Sequence, residues 1–252
     1  MFSKRQKMNM IKGSNVVWAS PDKGMDLYNA RQYKEMYRST KFIIDCLAES
    51  LDEEKNLSVL DVGCSAGANL LYMARQYPNF SFTGIDINKH YLEEARKAHN
   101  HLEIKNTTFK YLNILDLNEK YDIIGSAQTL SFLDFDKGEG FYEKCFQNAK
   151  KGVFIFSLFT NRRLEYDITI RDDIYNKAVP YNIHSIKKIE ECAAQCGFHL
   201  KLKRKFEIDI DLPDIHTGRG TYTIQDASNK RLMFTDVLHL PWGFLYFEKE
   251  TT

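Results

Sequence analysis

The spacing of apolar and polar residues along the chain predicts strands and helices that follow one another. LSVLDVG (57–63) is an apolar run of strand length, and ANLLYMARQYP (68–78) has helical spacing before a proline. FSFTGID (80–86) and NKHYLEEARKAHN (88–100) repeat the same strand and helix pair. Further strands are predicted at 107–113, 121–127, 153–159 and 198–210, with helices at 138–152 and 184–197.

Strands that alternate with helices are typical of an α/β fold. We expect a doubly wound, mostly parallel seven-stranded sheet with helices on both faces. The glycine-free helical pattern of residues 26–51 predicts a helical N-terminal cap within 1–55. The segment 232–250 predicts a C-terminal β-hairpin. Ligands of such sheets bind at the carboxyl ends of the strands, so functional residues are expected just after strands.

Composition narrows the class of protein. The 252 residues suffice for one large domain, and the formal net charge is +1. No global field therefore draws the chain to nucleic acid or to an anionic membrane. The basic run KLKRK (201–205) alternates with apolar residues and is interpreted as the solvent face of a strand. The apolar stretch VFIFSLF is too short to span a bilayer.

The five cysteines are scattered and odd in number, which is typical of free thiols in a reducing compartment. Cys192 and Cys196 lack a second pair of ligands, so no metal site is expected. The segment MFSKRQKMNMIKG is basic without an apolar core and does not predict a secretory signal. A cytoplasmic location is the resulting expectation, with the protein a monomer or a homodimer.

The stretch GCSAG (63–67) fits two different kinds of chemistry. As G-x-S-x-G it predicts a nucleophile elbow, which would make Ser65 the nucleophile of a serine hydrolase. That hypothesis also needs an acid, a histidine and oxyanion donors, and no spacing in the sequence selects them. The alternative is a glycine turn beneath a bound nucleotide.

The nucleotide hypothesis explains more residues at once. Gly63 and Gly67 allow a tight turn and close approach of the backbone to a ligand. Asp86 ends the next strand, where a carboxylate can accept hydrogen bonds from ribose hydroxyls. The turn is not G-x-G-x-x-G, so no pyrophosphate cradle is expected. We therefore predict a ligand with a ribose but no pyrophosphate, which argues against NAD.

Four motifs together resemble those of the class I S-adenosylmethionine-dependent methyltransferases. VLDVGCSAGAN (59–69) is similar to the first motif and GIDIN (84–88) to the second. FKYLNILDL (109–117) is similar to the third, and YDIIGSAQTLSFL (121–133) to the fourth. The resemblance implies a single methyltransferase domain over 1–252. Its parts would be the cap at 1–55, a cofactor-binding half at 56–160 and a substrate-side half at 161–252.

The resemblance also implies roles at the methionine end of S-adenosylmethionine, the cofactor whose product is S-adenosylhomocysteine. Asp61 would orient this end, and the backbone of Gly63, Cys64 and Ser65 would pass beneath it. Ser126 and Ala127 would offer backbone groups near the sulfonium and the ammonium.

At the adenosine end, the resemblance places the ribose on Asp86 and the adenine against Ile87 and Ile114. Asn113 would reach the adenine amino group. Two positions depart from the family pattern, since Ser65 replaces the middle glycine and Asn113 replaces an acid. A catalytically degenerate adenosyl-binding module is therefore an alternative.

The acceptor is expected to be a small polar molecule methylated at oxygen, either a hydroxyl or an ionised phosphate or carboxylate. GSAQTLSF (125–132) lacks the Asn/Asp-Pro-Pro-aromatic sequence found in many family members that methylate amino groups of nucleobases or glutamine. Together with the near-neutral charge, this argues against a nucleic-acid substrate, and an RNA or protein methyltransferase is the alternative. His184 is the candidate base, or else a packing histidine. Arg162 and Arg163 are candidate anion ligands, or else part of a solvated loop.

Two further features bear on the acceptor side of the expected site. Tyr28, in the aromatic first helix, is a candidate substrate contact, with core packing as the alternative. The tail LHLPWGFLYFEK loosely resembles methyltransferases that decorate bacterial surface sugars, which implies a role in capsule biosynthesis.

Overall fold

The computed structural model describes residues 23–51, 56–133, 135–172, 177–214, 221–235 and 237–250. The α-helices in these ranges are α1 Lys23–Lys34, α2 Arg38–Ser50, α3 Ala68–Gln76, α4 Lys89–His101, α5 Phe135–Asn148 and α6 Ile186–Gln195. Short 3₁₀ helices span Ile114–Asp116 and Thr129–Phe132.

The described strands fall into one large and two small sheets. Those of the large sheet are β1 Ser58–Val62, β2 Ser81–Asp86, β3 Thr107–Tyr111, β4 Tyr121–Ala127, β5 Ala149–Thr160, β8 His184–Ser185, β9 Phe198–Lys205 and β13 Trp242–Lys249. The small sheets contain β6 Thr169–Asp172 with β7 Lys177–Pro180, and β10 Thr221–Gln225 with β11 Arg231–Thr235 and β12 Leu238–His239.

The large sheet has the order β3-β2-β1-β4-β5-β13-β9, and β8 pairs with β5 at its margin. The pairs from β3 to β5 are parallel, whereas β13 runs antiparallel to both of its neighbours. The predicted doubly wound, mostly parallel sheet is confirmed. The chain order reverses between β1 and β4, which creates the crevice where such sheets bind ligands.

Two apolar layers cover the two faces of the sheet because neighbouring residues of a strand point to opposite sides. Val59 and Ile123 pack with α2, α3 and α4, together with Phe154 and Phe156 of β5. Leu60 belongs to the opposite layer, which contains α5 and α6. The neighbouring positions on β4 and β5 point to this layer too, namely Ile124, Val153 and Ile155. Burial on both faces explains why these strands are continuous apolar runs.

Two sequence-based expectations, for the tail and for the N-terminal cap, need correction or restriction. The tail does not form one hairpin, because β11 pairs with β12 while β13 enters the large sheet between β5 and β9. The helical pattern of 26–51, which allows one helix or two, forms the two helices α1 and α2. Residues 1–22 and 52–55 of the expected cap lie outside the described residues.

Candidate functional site

A cavity of about 280 Å³ opens at the carboxyl ends of β1, β2 and β4, beside the reversal of strand order. The turn after β1, the end of β2 and the end of β4 form its floor. Helix α1 covers one side of it through Tyr28, Asn29 and Gln32. The other side is formed largely by the two 3₁₀ helices and the start of α5, including Leu115, Thr129, Phe132 and Lys137.

The turn after β1 has a backbone that requires its glycines. Gly63 has φ 75° and Gly67 has φ 81°, both in the left-handed region. A Cβ at Gly63 would lie 2.1 Å from Oγ1 of Thr129, and one at Gly67 would lie 2.8 Å from the ring of Phe109. Ser65 has φ 50° without being glycine. The turn is therefore held in a conformation that few sequences adopt.

Asp86 lines the cavity at the end of β2, as the sequence predicted for the ribose acid. Its Oδ2 accepts a hydrogen bond from the Ser65 backbone N–H, and its Oδ1 accepts one from the Asn88 backbone N–H, both at 2.8 Å. Burial raises the pKa of Asp86, and these backbone donors oppose that shift. Each carboxylate oxygen keeps a further lone pair for a ligand hydroxyl.

Asp61 is the residue of β1 before the cavity-lining Val62 and is only 2% exposed. Its Oδ1 has no hydrogen-bond partner among the described residues. Burial, followed by the charge of Asp86, raises the pKa of Asp61 to about 7. A buried carboxylate without a partner is costly, so the site favours a cationic group beside it.

The residues expected around an adenine line the same cavity. Ile87, Asn113 and Ile114 all contribute to its lining. The Asn113 side-chain oxygen accepts a 3.1 Å hydrogen bond from the Leu115 backbone N–H, which fixes the amide at the start of the first 3₁₀ helix. The second lone pair of this oxygen and the amide N–H groups stay available for a ligand.

Cys64, Ser65 and Ala127 also line the cavity, whereas the Ser126 side chain does not. Ser126 Oγ donates a 3.2 Å hydrogen bond to the Val62 carbonyl and thereby ties the end of β4 to the end of β1. The role expected for Ser126 belongs to its backbone groups. Its side chain stabilises the scaffold through this bond.

Tyr28, the candidate substrate contact, lines the cavity, and its ring packs edge-on against Tyr37 at 5.4 Å between centroids. Burial raises the pKa of Tyr28 to about 12, so its hydroxyl is a donor at neutral pH and not a base. Helix α1 is attached to the floor because the Tyr33 hydroxyl donates to the Ala66 carbonyl.

His184 does not lie at the cavity, and its expected role as a base does not fit its position. The side chain is buried, and its Nε2 lies 3.1 Å from the Leu130 carbonyl. Burial lowers the pKa of His184 to about 4. Its other ring nitrogen lies 4.0 Å from the Glu165 carboxylate. This histidine joins β8 to the second 3₁₀ helix.

Arg162 and Arg163 also lie away from the cavity. Both side chains are exposed, and Arg163 forms an ion pair with Glu191 of α6. They belong to the solvated loop that the sequence left as the alternative. Among the described residues, the cation that lines the cavity is Lys137 of α5, and nothing in the local sequence pattern marks it as a site residue.

The serine hydrolase hypothesis fails on geometry. Ser65 Oγ has no hydrogen-bond partner among the described residues, so no histidine activates it there. Within the same part of the chain, no group of three His, Cys, Asp or Glu side chains is placed to hold a metal ion. Among the helices that the structure describes, none is long and apolar enough to cross a bilayer.

The methyltransferase domain family matches residues 53–228 of the chain. A malonyl-[acyl-carrier protein] O-methyltransferase of Acetivibrio thermocellus is 33% identical over 136 residues, which cover 52% of this chain and 46% of the relative. An uncharacterised protein of Rickettsia prowazekii is 32% identical over 124 residues, covering 48% of this chain and 22% of the relative. Each match spans less than half of the relative's length.

Solved structures share the fold over almost the whole chain. Magnesium protoporphyrin IX methyltransferase from Synechocystis PCC 6803, with bound S-adenosylmethionine, has a TM-score of 0.60 and 16% identity. The match covers 94% of this chain and 97% of that one. An O-methyltransferase family protein from Burkholderia thailandensis has a TM-score of 0.61 at 13% identity, covering 95% and 63% of the two chains. The chain therefore belongs to the methyltransferase domain family, among the class I S-adenosylmethionine-dependent methyltransferases.

Proposed function

We propose that the protein transfers a methyl group from S-adenosylmethionine to an oxygen of a small, polar, anionic molecule. The observation that carries the proposal is the cavity at the switch point, where the Asp86 carboxylate is fixed by two backbone N–H donors. An acid oriented in this way suits the two ribose hydroxyls of an adenosyl group.

The residues around the cavity fit the cofactor at both of its ends. Asp86 would hold the ribose, and Ile87, Asn113 and Ile114 would surround the adenine. Asp61 supplies a negative charge without a partner among the described residues, which suits the ammonium of the methionine end. The left-handed turn at Gly63 brings the backbone close enough to pass beneath this end.

The bound cofactor supplies a methyl group that is already activated by its sulfonium. The protein has to align the acceptor and exclude water from the cavity. Tyr28 from α1 and Phe132 from the second 3₁₀ helix both line the cavity and provide apolar walls. Their rings limit the space in which an acceptor can lie.

An ionised oxygen is favoured over a hydroxyl as the acceptor. A hydroxyl needs a general base, and the cavity-lining residues that the structure describes include no histidine. Tyr28 stays protonated at neutral pH because burial raises its pKa to about 12. Lys137 places a cation in the cavity, where a carboxylate or phosphate can be oriented without proton transfer.

A small acceptor is favoured over RNA or a protein because α1 covers one side of the cavity. The relative from Acetivibrio thermocellus is named as an O-methyltransferase, which supports oxygen as the target atom. The tail resemblance adds acidic sugars of bacterial surface polysaccharides to the acceptors worth testing. A catalytically degenerate binding module would keep cofactor affinity but transfer no methyl group.

Calorimetry with S-adenosylmethionine, S-adenosylhomocysteine and NAD tests the cofactor half of the proposal. We expect heat from both adenosyl compounds and none from NAD, because the turn lacks a pyrophosphate cradle. A mass-shift assay with carboxylated and phosphorylated small molecules then tests the acceptor half. Binding of NAD but of neither adenosyl compound would contradict the cofactor half. Methyl transfer only to neutral alcohols would contradict the acceptor half.

A further inference from the structure

Three buried polar atoms near the cavity have no hydrogen-bond partner among the described residues. They are Nδ2 of Asn29, Oγ of Ser65 and Oδ1 of Asp61. Asn29 is 6% exposed and Asp61 is 2% exposed. Buried polar atoms are almost always paired, and leaving one unpaired is costly. Their concentration around one cavity indicates that a polar ligand completes their hydrogen bonding.

The position of Asn29 follows from the way α1 is attached. Asn29 and Tyr33 are four residues apart and therefore lie on the same face of the helix. The Tyr33 hydroxyl donates to the Ala66 carbonyl within the glycine turn. One turn nearer the start of α1, Asn29 lies in the cavity wall. The helix thus carries an amide donor to the methionine side of the site.

A second positive element faces the same region. Helix α3 begins after Gly67, and no side chain caps its first N–H groups. Ala68 and Asn69, the first two residues of α3, line the cavity. The free N–H groups and the dipole of a helix start attract a negative group. The Asn29 amide and the start of α3 therefore form a positive pole, with Asp61 as a negative one.

We propose that Asn29 of α1 binds the carboxylate of the amino-acid end of the cofactor. This inference deepens the proposed function and rests on it. A zwitterion matches the two poles, since the ammonium suits Asp61 and the carboxylate suits Asn29 with the start of α3. Helix α1 then acts as a cover that recognises the amino-acid end, so a ligand without that end cannot engage it.

Two adenosyl ligands test this assignment. S-adenosylhomocysteine carries the amino-acid end, and 5′-methylthioadenosine lacks it. For Asn29→Ala we expect the affinity for S-adenosylhomocysteine to fall roughly 10- to 100-fold, as for loss of a hydrogen bond to a charged group. The affinity for 5′-methylthioadenosine should stay at the wild-type value. Asn29→Asp should weaken S-adenosylhomocysteine binding further, because two carboxylates would then meet.

Lys34→Ala is the matched control, because Lys34 is exposed on the same helix. This variant should bind both ligands as the wild type does. Equal losses for both ligands in Asn29→Ala would overturn the assignment and leave Asn29 as a structural residue of α1. An unchanged affinity for S-adenosylhomocysteine would also overturn it. If the wild type bound neither ligand, the proposed function itself would fail.

Discussion

The backbone N–H of Ser65 donates a 2.8 Å hydrogen bond to Oδ2 of Asp86. This bond joins the turn after β1 to the end of β2, two segments that lie 21 residues apart in the chain. Ser65 has φ 50°, which is unfavourable for a residue with a side chain. The carboxylate that is proposed to hold the ribose therefore also stabilises the turn proposed to lie beneath the methionine end.

Asp86→Ala removes the proposed ribose ligand together with this support. We expect the affinity for S-adenosylhomocysteine to fall by roughly 2–4 kcal/mol, since hydrogen bonds to a charged group are worth about 1.5–3 kcal/mol each and are not additive. Isothermal calorimetry measures the change. Asp122→Ala is a suitable control, because Asp122 at the opposite end of β4 bonds to Ser58. An unchanged dissociation constant for Asp86→Ala would place the ribose elsewhere.

Asp61→Asn should stabilise the ligand-free protein at alkaline pH. Burial raises the pKa of Asp61 to about 7 from 3.8, so the folded state favours the protonated form. Its contribution to stability is full below about pH 4 and is lost as the pH rises through about 7. At pH 8 we expect the variant to exceed the wild type by up to about 4 kcal/mol, at about 1.4 kcal/mol per pKa unit. Denaturant unfolding at pH 5 and pH 8 measures this difference.

The same Asp61→Asn variant should bind S-adenosylhomocysteine more weakly than the wild type, because the ammonium loses its charged partner. Wild-type affinity should rise between about pH 5 and pH 7 as Asp61 ionises, and the variant should lack this rise. If the two proteins showed the same pH dependence of affinity, Asp61 would not be the partner of the ammonium.

Lys137→Ala should impair turnover of an anionic acceptor. We expect kcat/KM for such an acceptor to fall roughly 10- to 100-fold, the value of a charge-assisted hydrogen bond of about 1.5–3 kcal/mol. Cofactor affinity should be unchanged. Arg162→Ala and Arg163→Ala serve as controls, since both side chains lie outside the cavity. If either arginine variant lowered kcat/KM more than Lys137→Ala, the acceptor would bind at the loop after β5 and not beside Lys137.

His184 should control stability at acidic pH and not the chemical step. Burial lowers the pKa of His184 to about 4 from 6.5, while Glu165 opposes this shift and Lys188 adds to it. Its contribution to stability is full above about pH 6.5 and is lost as the pH falls through about 4. His184→Gln should reduce this acid sensitivity by up to about 3 kcal/mol. Single-turnover rates near pH 7.5 should match the wild type, and a large loss would restore His184 as a base.

Local patterns predicted the parts of the site that follow directly from strands. Gly63 and Asp86 lie at the ends of β1 and β2, and the period of the apolar residues identifies those ends. Asn113 lies similarly just after β3. Because parallel strands direct their carboxyl ends to one edge, positions near strand ends were sufficient to bring these residues together.

The remaining parts of the site depend on contacts between distant segments. His184 directly precedes a predicted helix, but the Leu130 carbonyl, 54 residues earlier in the chain, holds its ring. Asn29 and Lys137 reach the cavity only through the docking of α1 and α5. The same holds for β13, whose apolar pattern suits a hairpin as well as an internal strand. The period of the apolar residues shows which face of an element is buried, but it does not show which other segment covers that face.

The internal position of β13 has a consequence for biosynthesis. β5 and β9 leave the ribosome before β13, yet each needs β13 as its hydrogen-bonded neighbour. Until residues 242–249 emerge, the nascent chain exposes two unsatisfied strand edges flanked by Phe154, Phe156 and Phe198. Such edges are templates for pairing between chains. We therefore expect co-translational aggregation, and protection by chaperones, to depend on how quickly the stretch that contains β13 is translated.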